Sequence, residues 1–192
     1  PDAVIGQSMG EVTAAVVSGA LTVAEGLRII AVRSTLMSRL GGEGAVALLR
    51  VPADDVESLI TAHHGVEISG RLAPRQTVIA GPVDAVDAIV AEVAAAGGFA
   101  RRVNMEVASH TALMDPILDE LHSELDELRP RRPRIDFFST VVRDAIPTLD
   151  SAYWVANVRR PVILDAAVVA ASGDNTTFVE ISPHPTLTQA IA

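Results

Sequence analysis

The chain has 192 residues, of which 49% are hydrophobic and only 3% aromatic, enough for one mostly aliphatic domain or a domain with an inserted lobe. A formal net charge of −9 argues against a nucleic-acid-binding protein. The absence of cysteine excludes disulfides, thiolate metal sites and a cysteine nucleophile, and the absence of lysine excludes a Walker-type phosphate loop and Schiff-base chemistry.

The sequence contains no feature of membrane insertion or export. No apolar run reaches the roughly 18 residues that a bilayer span needs, and no basic segment precedes an apolar one at the start. We therefore expect a cytoplasmic protein. The sequence begins without methionine, directly on a predicted strand, so we also expect a piece of a longer polypeptide whose upstream part is missing.

Residues 6–10, Gly-Gln-Ser-Met-Gly, lie between an apolar run at 3–5 that predicts a strand and a helix predicted from residue 11. Gly-x-Ser-x-Gly in this context is typical of a nucleophile elbow, in which a tight turn leaves room only for glycine on both sides of the serine. Ser8 is then the candidate nucleophile, and the backbone N–H of Met9 points toward a forming oxyanion. The alternative is an ordinary serine at a helix start.

A second helix is predicted to run from a capping box formed by Thr22 and Glu25 to about Leu40. Its apolar side is expected at Leu27, Ile30, Ala31, Ser34, Met37 and Ser38. Arg33 interrupts this apolar stretch. It either extends to solvent, pairs with a carboxylate, or serves as a bidentate clamp for an acidic substrate.

The middle of the chain predicts a separate small subdomain at residues 45–105. Its elements are a strand at 45–51, a helix at 54–64, strands at 66–69 and 77–80, a helix at 83–96 and a strand at 99–106. This β-α-β-β-α-β order is typical of a ferredoxin-like fold.

The remaining residues, 1–44 and 106–192, predict an α/β-hydrolase-like large subdomain with a parallel sheet, whose N-terminal part is missing. Its later elements are a helix at 115–128, a strand at 135–141, a helix at 162–172 and a strand at 178–181. The basic connector at 129–134, Arg-Pro-Arg-Arg-Pro-Arg, is either a solvated linker or a contact for an acidic partner.

Two histidines are candidates for the base that a serine nucleophile needs. His110 lies where the chain leaves the small subdomain, so it can overhang the cleft between the subdomains, although a helix-capping role is the alternative. His184 lies at the end of a predicted strand and is the rival. His63, His64 and His122 are expected on the surface.

Taken together, these residues resemble the malonyl-CoA-type acyltransferase domains of polyketide and fatty acid synthases over essentially the whole chain. The matching stretches are Gly-x-Ser-x-Gly-Glu at 6–11, the helix arginine at 33, Val-Ala-Ser-His at 107–110, Tyr-Trp-Val-Ala-Asn-Val-Arg-Arg-Pro-Val at 153–162, and Glu-Ile-Ser-Pro-His-Pro at 180–185. Their occurrence in this order is highly specific.

The resemblance implies a role for each matching position. Ser8 would be the acylated nucleophile, His110 the general base and then acid, and Arg33 the ligand of the extender unit's free carboxylate. Asn157 matches a position whose backbone carbonyl orients the histidine in place of a triad aspartate. Met9 would supply one oxyanion donor, whereas the family's second donor is a glutamine in an upstream loop outside this sequence, so we expect the piece by itself to be weakly active or inactive.

The resemblance also implies a substrate preference. Family members with Tyr-Ala-Ser-His prefer methylmalonyl units, and those with His-Ala-Phe-His prefer malonyl units. Ser109 in place of phenylalanine leaves room for an α-methyl branch, whereas Val107 departs from the usual tyrosine. Gln7 replaces the usual histidine before the serine and does not titrate near neutral pH. Gln7, Val107 and Ser109 are therefore candidate substrate-binding residues.

The implied reaction transfers an extender unit, methylmalonyl by this argument, from a CoA thioester to the phosphopantetheine thiol of an acyl carrier protein, with no bound cofactor or metal. The carrier protein and neighbouring synthase domains would be the partners. Two alternatives stay open: a serine hydrolase using the same Ser-His pair, which needs an acid between serine and histidine in chain order, and a non-enzymatic docking module.

Overall fold

A computed structural model describes residues 1–42, 44–105, 107–143, 146–173 and 177–191. The strands are β1 (Ala3–Ile5), β2 (Ala45–Leu49), β3 (Glu67–Ala73), β4 (Gln76–Gly81), β5 (Ala100–Val103), β6 (Asp136–Phe138) and β7 (Val162–Ile163). The helices are α1 (Met9–Val17), α2 (Val23–Ser38), α3 (Ala53–Ile60), α4 (Val83–Ala95), α5 (Asp115–Glu124), α6 (Ser151–Arg159), α7 (Leu164–Ala171) and α8 (Thr188–Ile191), with a 3-10 turn at Ala112–Met114. The α/β class predicted from the sequence is confirmed.

Four strands of the middle segment form an antiparallel sheet in the order β5-β2-β4-β3. Helices α3 and α4 cover it, because their apolar residues recur at helical spacing and pack on the alternate residues of the strands. The core of this layer includes Ala47, Leu49, Val56, Ile79, Val86 and Ile89. This is the β-α-β-β-α-β arrangement expected from the pattern.

A strand from outside the middle segment extends this sheet. β7 pairs in parallel with β3, with Gly70 opposite Val162 and Arg71 opposite Ile163. The five-stranded sheet therefore spans both predicted subdomains, and their division at 45–105 stays a prediction. The start of the second large-subdomain segment, Glu106, lies outside the described residues.

The other sheet consists of β1 and β6, which pair in parallel with Val4 opposite Phe137. Helices α1, α2, α5 and α6 pack beside it around the larger core, which includes Val12, Ile29, Leu36, Met114, Leu121, Leu125, Leu149 and Trp154. None of the helices in the described ranges is long and apolar enough to cross a membrane.

Two sequence-based expectations are wrong. Residues 178–181 do not form a strand: no described strand pairs with them, and Val179 and Ile181 are 74% and 89% exposed. The buried face of α2 is also different, since Ile29, Arg33 and Leu36 are buried while Leu27 is 65% exposed. Arg33 therefore lies on the inner face of its helix.

Candidate active site

Ser8 occupies the sharp turn between β1 and α1. Its backbone has φ +52° and ψ −113°, a region that residues with a Cβ rarely adopt. Two backbone hydrogen bonds close the turn, from the Gly10 N–H to the Gln7 oxygen (2.8 Å) and from the Glu11 N–H to the Ser8 oxygen (3.1 Å). A strained serine at a strand-to-helix turn is the geometry of a nucleophile elbow.

The two glycines of the turn differ in what they are needed for. A Cβ on Gly6 would lie 2.3 Å from the Glu11 Cα and 2.4 Å from the Gly10 oxygen, so no larger residue fits there. A Cβ on Gly10 would meet nothing within 4 Å. The expectation that both flanking positions must lack a side chain is correct for Gly6 and wrong for Gly10.

His110 faces the serine, with its Nε2 3.0 Å from the Ser8 Oγ. The Nδ1 lies 3.0 Å from the backbone oxygen of Arg160. Because a carbonyl oxygen only accepts, Nδ1 carries the proton and Nε2 presents its lone pair to the serine hydroxyl. The backbone of His110 has φ +66°, and its N–H donates to the Val158 oxygen (2.9 Å), which fixes the loop to the end of α6.

The electrostatic surroundings keep this imidazole neutral. Burial and, after it, the positive charge of Arg33 lower the pKa of His110 to about 4, against the opposing effect of backbone hydrogen bonds to Arg160 and Asn157. At neutral pH the ring is therefore unprotonated and free to accept a proton from Ser8.

The orientation of the histidine differs in part from the expectation that resemblance gave. The Arg160 carbonyl is the acceptor at 3.0 Å from Nδ1, and the Asn157 backbone contributes a further hydrogen bond. The side chain of Asn157 is buried and has a separate task, because its Oδ1 accepts from Arg33.

Arg33 reaches the Ser8 hydroxyl from α2. Only 4% of the residue is exposed, and its Nη2 donates to the Ser8 Oγ (3.1 Å) while Nη1 donates to the Asn157 Oδ1 (3.1 Å). Burial lowers the pKa of Arg33 to about 10, and the carboxylate of Glu11 opposes this decrease. The guanidinium is thus a cation at neutral pH, with one edge at the nucleophile. Of the interpretations left open for Arg33, the exposed surface side chain is wrong.

The remaining predicted site residues lie around this centre. Met9 is the first residue of α1 and is 55% exposed, and Gln7 is half-buried with no side-chain hydrogen bond to the described residues. Ser109 is buried beside His110, again without a side-chain hydrogen bond within the described ranges. Val107 is half-buried and packs against the larger core.

Other histidines and the basic connector lie elsewhere. His184 is exposed, and His63 contacts Glu92 on the surface at 3.3 Å. In the connector, the backbone N–H of Arg131 donates to the Ala20 oxygen, and that of Arg134 donates to the Ser18 oxygen. Both acceptors follow the C-terminal end of α1, whereas Ser8 precedes its N-terminal end.

Glu11 is a buried residue of this site for which the sequence predicted no role. It is fully buried, and its carboxylate accepts from the Thr140 N–H (2.9 Å), the Tyr153 hydroxyl (2.6 Å) and the Asn157 Nδ2 (2.7 Å). Burial raises its pKa, whereas the hydrogen bonds from Tyr153, Thr140 and Asn157 lower it and favour the ionised carboxylate. The sequence did contain a signal for Glu11. It is a glutamate three positions after the candidate nucleophile, in the first turn of a predicted helix whose following residues are mostly apolar.

Comparisons with known proteins identify the family of the chain. The family described as "Acyl transferase domain" matches residues 1–192. One of the large polypeptides of the phenolphthiocerol/phthiocerol polyketide synthase of Mycobacterium tuberculosis is 54% identical over 191 residues, and the aligned region covers the whole of this chain and 10% of that protein. The chain therefore spans about a tenth of the length of this curated relative.

Solved structures resemble the fold over the same range. The acyltransferase domain of the polyketide synthase PpsC of M. tuberculosis superimposes with a TM-score of 0.97 at 47% identity, covering 100% of this chain and 60% of that one. The malonyl CoA-acyl carrier protein transacylase of Coxiella burnetii superimposes with a TM-score of 0.82 at 26% identity, covering 90% of this chain and 57% of that one. The chain thus belongs to the acyl transferase domain family, as an acyltransferase domain of the polyketide synthase type.

Proposed function

We propose that this domain transfers a carboxylated extender unit, methylmalonyl, from CoA to an acyl carrier protein through an ester on Ser8. The observation that carries the proposal is the convergence of two groups on one hydroxyl: the His110 Nε2 lies 3.0 Å and the Arg33 Nη2 lies 3.1 Å from the Ser8 Oγ. One group accepts the serine proton, and the other is a fixed cation beside the reacting atom.

In the first half-reaction the Ser8 Oγ attacks the thioester carbonyl carbon while its proton passes to the His110 Nε2. The Met9 N–H, at the free N-terminus of α1, donates to the oxyanion. The C–S bond then breaks, the CoA sulfur takes the proton from His110, and an acyl ester on Ser8 remains. No proton or electron is left over.

In the second half-reaction the phosphopantetheine thiol of the carrier protein loses its proton to His110, and its sulfur attacks the ester carbonyl. The C–O bond to Ser8 breaks, and the serine oxygen takes the proton back from His110. The C. burnetii relative is a malonyl CoA-acyl carrier protein transacylase, which motivates this choice of acceptor. Neighbouring synthase domains would present the carrier.

Arg33 supports a donor with a free carboxylate. A carboxylate that enters this buried region needs a cationic partner, and a guanidinium provides two parallel donors for it. Ser109 is buried and adjacent to His110 in the sequence, and its small side chain in place of phenylalanine supports a donor with an α-methyl branch. A single methyl group changes binding by only about 1–3 kcal/mol, so the preference for methylmalonyl over malonyl is expected to be moderate.

The alternative serine hydrolase is less consistent with the site. A hydrolytic triad places a carboxylate at the histidine Nδ1, whereas here the Nδ1 proton goes to the backbone oxygen of Arg160. A neutral acceptor gives a weaker base, which suits thioester exchange because a thiol is a good leaving group.

The test is intact mass spectrometry of the natural full-length polypeptide after incubation with methylmalonyl-CoA or malonyl-CoA. We expect an acyl adduct that maps to Ser8 and forms about 10-fold or more faster with methylmalonyl-CoA. Ser8→Ala is the control and should stay unmodified. A docking module would form no adduct, a hydrolase would release free acid without transfer to carrier protein, and equal rates with the two donors would overturn the methylmalonyl assignment alone.

A further inference from the structure

We propose that Glu11 is a positioning residue that sets the orientation of the Arg33 guanidinium through the side-chain amide of Asn157. The inference rests on the proposed function, since it assigns Glu11 to the selection of carboxylated donors. Glu11 does not contact the Ser8 hydroxyl itself. It acts from the layer behind the site, where no substrate atom is expected.

The carboxylate of Glu11 has a complete set of donors in the protein interior. Its Oε1 accepts from the Thr140 N–H and from the Tyr153 hydroxyl, and its Oε2 accepts from the Asn157 Nδ2 and from the Thr140 hydroxyl. A buried carboxylate with four donors at 2.6–3.2 Å is held in one orientation. It can therefore serve as a fixed reference for its neighbours.

The direction of the hydrogen bonds behind Glu11 is also fixed. The Ser139 Oγ accepts from the N–H groups of Val141 (3.0 Å) and Val142 (3.1 Å), so its own proton goes to the Tyr153 hydroxyl at 2.7 Å. Tyr153 in turn donates to Glu11. The hydrogen bonds from Ser139 to Tyr153 and from Tyr153 to Glu11 therefore both point toward the carboxylate.

The same logic passes from Glu11 to the nucleophile. Because Glu11 only accepts, Asn157 must present its NH2 group to the carboxylate at 2.7 Å, with a longer second contact to the Ser8 backbone oxygen at 3.4 Å, and its Oδ1 to Arg33. The Oδ1 holds the Nη1 of Arg33, which leaves Nη2 at the Ser8 hydroxyl. The orientation of one buried carboxylate thus determines which edge of the guanidinium faces the reacting atom.

Glu11→Gln is the variant that tests this argument. Glutamine keeps the shape but replaces one oxygen by an NH2 group, which then faces either the Asn157 NH2 or the Thr140 N–H. In the first case the Asn157 amide must rotate and present a donor to Arg33. We expect the ratio of kcat/KM for methylmalonyl-CoA to that for propionyl-CoA, which lacks the carboxylate, to fall about 10- to 100-fold.

A second substitution restores the direction of the network. In Glu11→Gln/Asn157→Asp, the glutamine NH2 donates to one aspartate oxygen, and the other oxygen accepts from Arg33. The double variant loses only the long hydrogen bond, 3.4 Å, from the Asn157 Nδ2 to the Ser8 backbone oxygen. We expect this double variant to regain the donor ratio to within about threefold of wild type, whereas Asn157→Asp alone, which places two carboxylates together, should not. A residue that only supports the fold would give no such rescue.

The measurements are made on the natural full-length polypeptide, with thermal unfolding recorded in parallel. Glu25→Gln is the matched control, since Glu25 accepts hydrogen bonds in the capping box of α2 and has no contact with the site. If wild type forms no Ser8 adduct, the proposed function fails and this inference with it. If wild type loads normally but Glu11→Gln keeps the donor ratio, only the role of Glu11 is overturned. Should Glu11→Gln not fold, a folded double variant without donor selectivity overturns it equally.

Discussion

The guanidinium of Arg33 donates to the hydroxyl of Ser8 across 3.1 Å, although the two residues lie on different elements of the fold. The cation is therefore in place before any substrate arrives, held by Asn157 on its other side. Under the proposed function, a donor carboxylate would bind to a charge that is already oriented, so little reorganisation would accompany loading. Burial is the main cause of the low pKa of His110, and the positive charge of Arg33 lowers that pKa as well.

Removing this cation should change the choice of donor more than it changes the chemistry. Arg33→Ala is expected to lower kcat/KM for methylmalonyl-CoA on the order of 100-fold, because the donor carboxylate and Glu11 both lose their buried partner. Loading or hydrolysis of propionyl-CoA should be maintained or increased. Steady-state rates with the two donors measure this, and Arg33→Lys, which keeps the charge without the planar fork, should lie between. An equal loss with both donors would contradict the role of Arg33 in selection.

The glycines of the nucleophile turn provide a second test. Gly6→Ala is expected to lower the free energy of unfolding by about 3 kcal/mol or more, since its Cβ would overlap backbone atoms of Glu11 and Gly10 that cannot move aside. Gly10→Ala is the matched control and should fold as stably as wild type or slightly better, because its Cβ meets open space within α1. Urea denaturation measures the free energy of unfolding of the two variants. Similar decreases in both variants would show that the turn requires two glycines.

Local features of this fold could be predicted from the sequence. The Thr22–Glu25 capping box is confirmed: the side chain of Thr22 accepts from the Glu25 N–H, and the Glu25 carboxylate accepts from the Thr22 N–H. The serine turn and the alternating elements of the middle segment were predictable for the same reason. Each depends on residues a few positions apart, whose spacing is visible in one sequence.

Long-range pairings could not be predicted in this way. The hydrogen bonds that join Glu11 to Asn157 and Asn157 to Arg33 connect residues 146 and 124 positions apart. No local pattern states which distant polar groups meet. The same reason explains the wrong strand at 178–181, because a strand forms only where a neighbour supplies hydrogen bonds, and the alternation of apolar residues does not reveal the neighbour.

Because the backbone of Ser8 is strained, a glycine variant at this position should be more stable than an alanine variant, the reverse of the usual order in a helix. Ser8→Gly is expected to be about 1 kcal/mol more stable than Ser8→Ala, because only glycine adopts φ +52° without a Cβ penalty. At Thr13, an exposed position in the middle of α1, glycine should instead be about 1 kcal/mol less stable than alanine. Chemical denaturation of these four variants measures both differences. If alanine is the more stable residue at both positions, the turn at Ser8 is not strained.

The titration of His110 predicts how rate and stability depend on pH. Its pKa is about 4 in the folded state against 6.5 ordinarily, so the rate of Ser8 acylation should stay constant on acidification until the pH approaches 4. An acid limb near pH 6.5 would contradict a buried, unprotonated base. The initial rate of adduct formation between about pH 4 and pH 8 is the measurement.

The free energy of unfolding changes with pH in a direction set by which state, folded or unfolded, binds the His110 proton more tightly. The unfolded chain protonates this histidine at higher pH than the folded chain does, so the free energy of unfolding falls as the pH decreases from about 6.5 to about 4, by about 3 kcal/mol in total. His110→Asn removes the titration and tolerates φ +66°. Glu11 has a raised pKa and acts in the opposite direction, since its contribution is lost as the pH rises. Wild type and His110→Asn both contain Glu11, so the difference between their free energies of unfolding, measured as a function of pH, reports on His110 alone. If this difference does not change between about pH 6.5 and about pH 4, the imidazole is not buried in an unprotonated form.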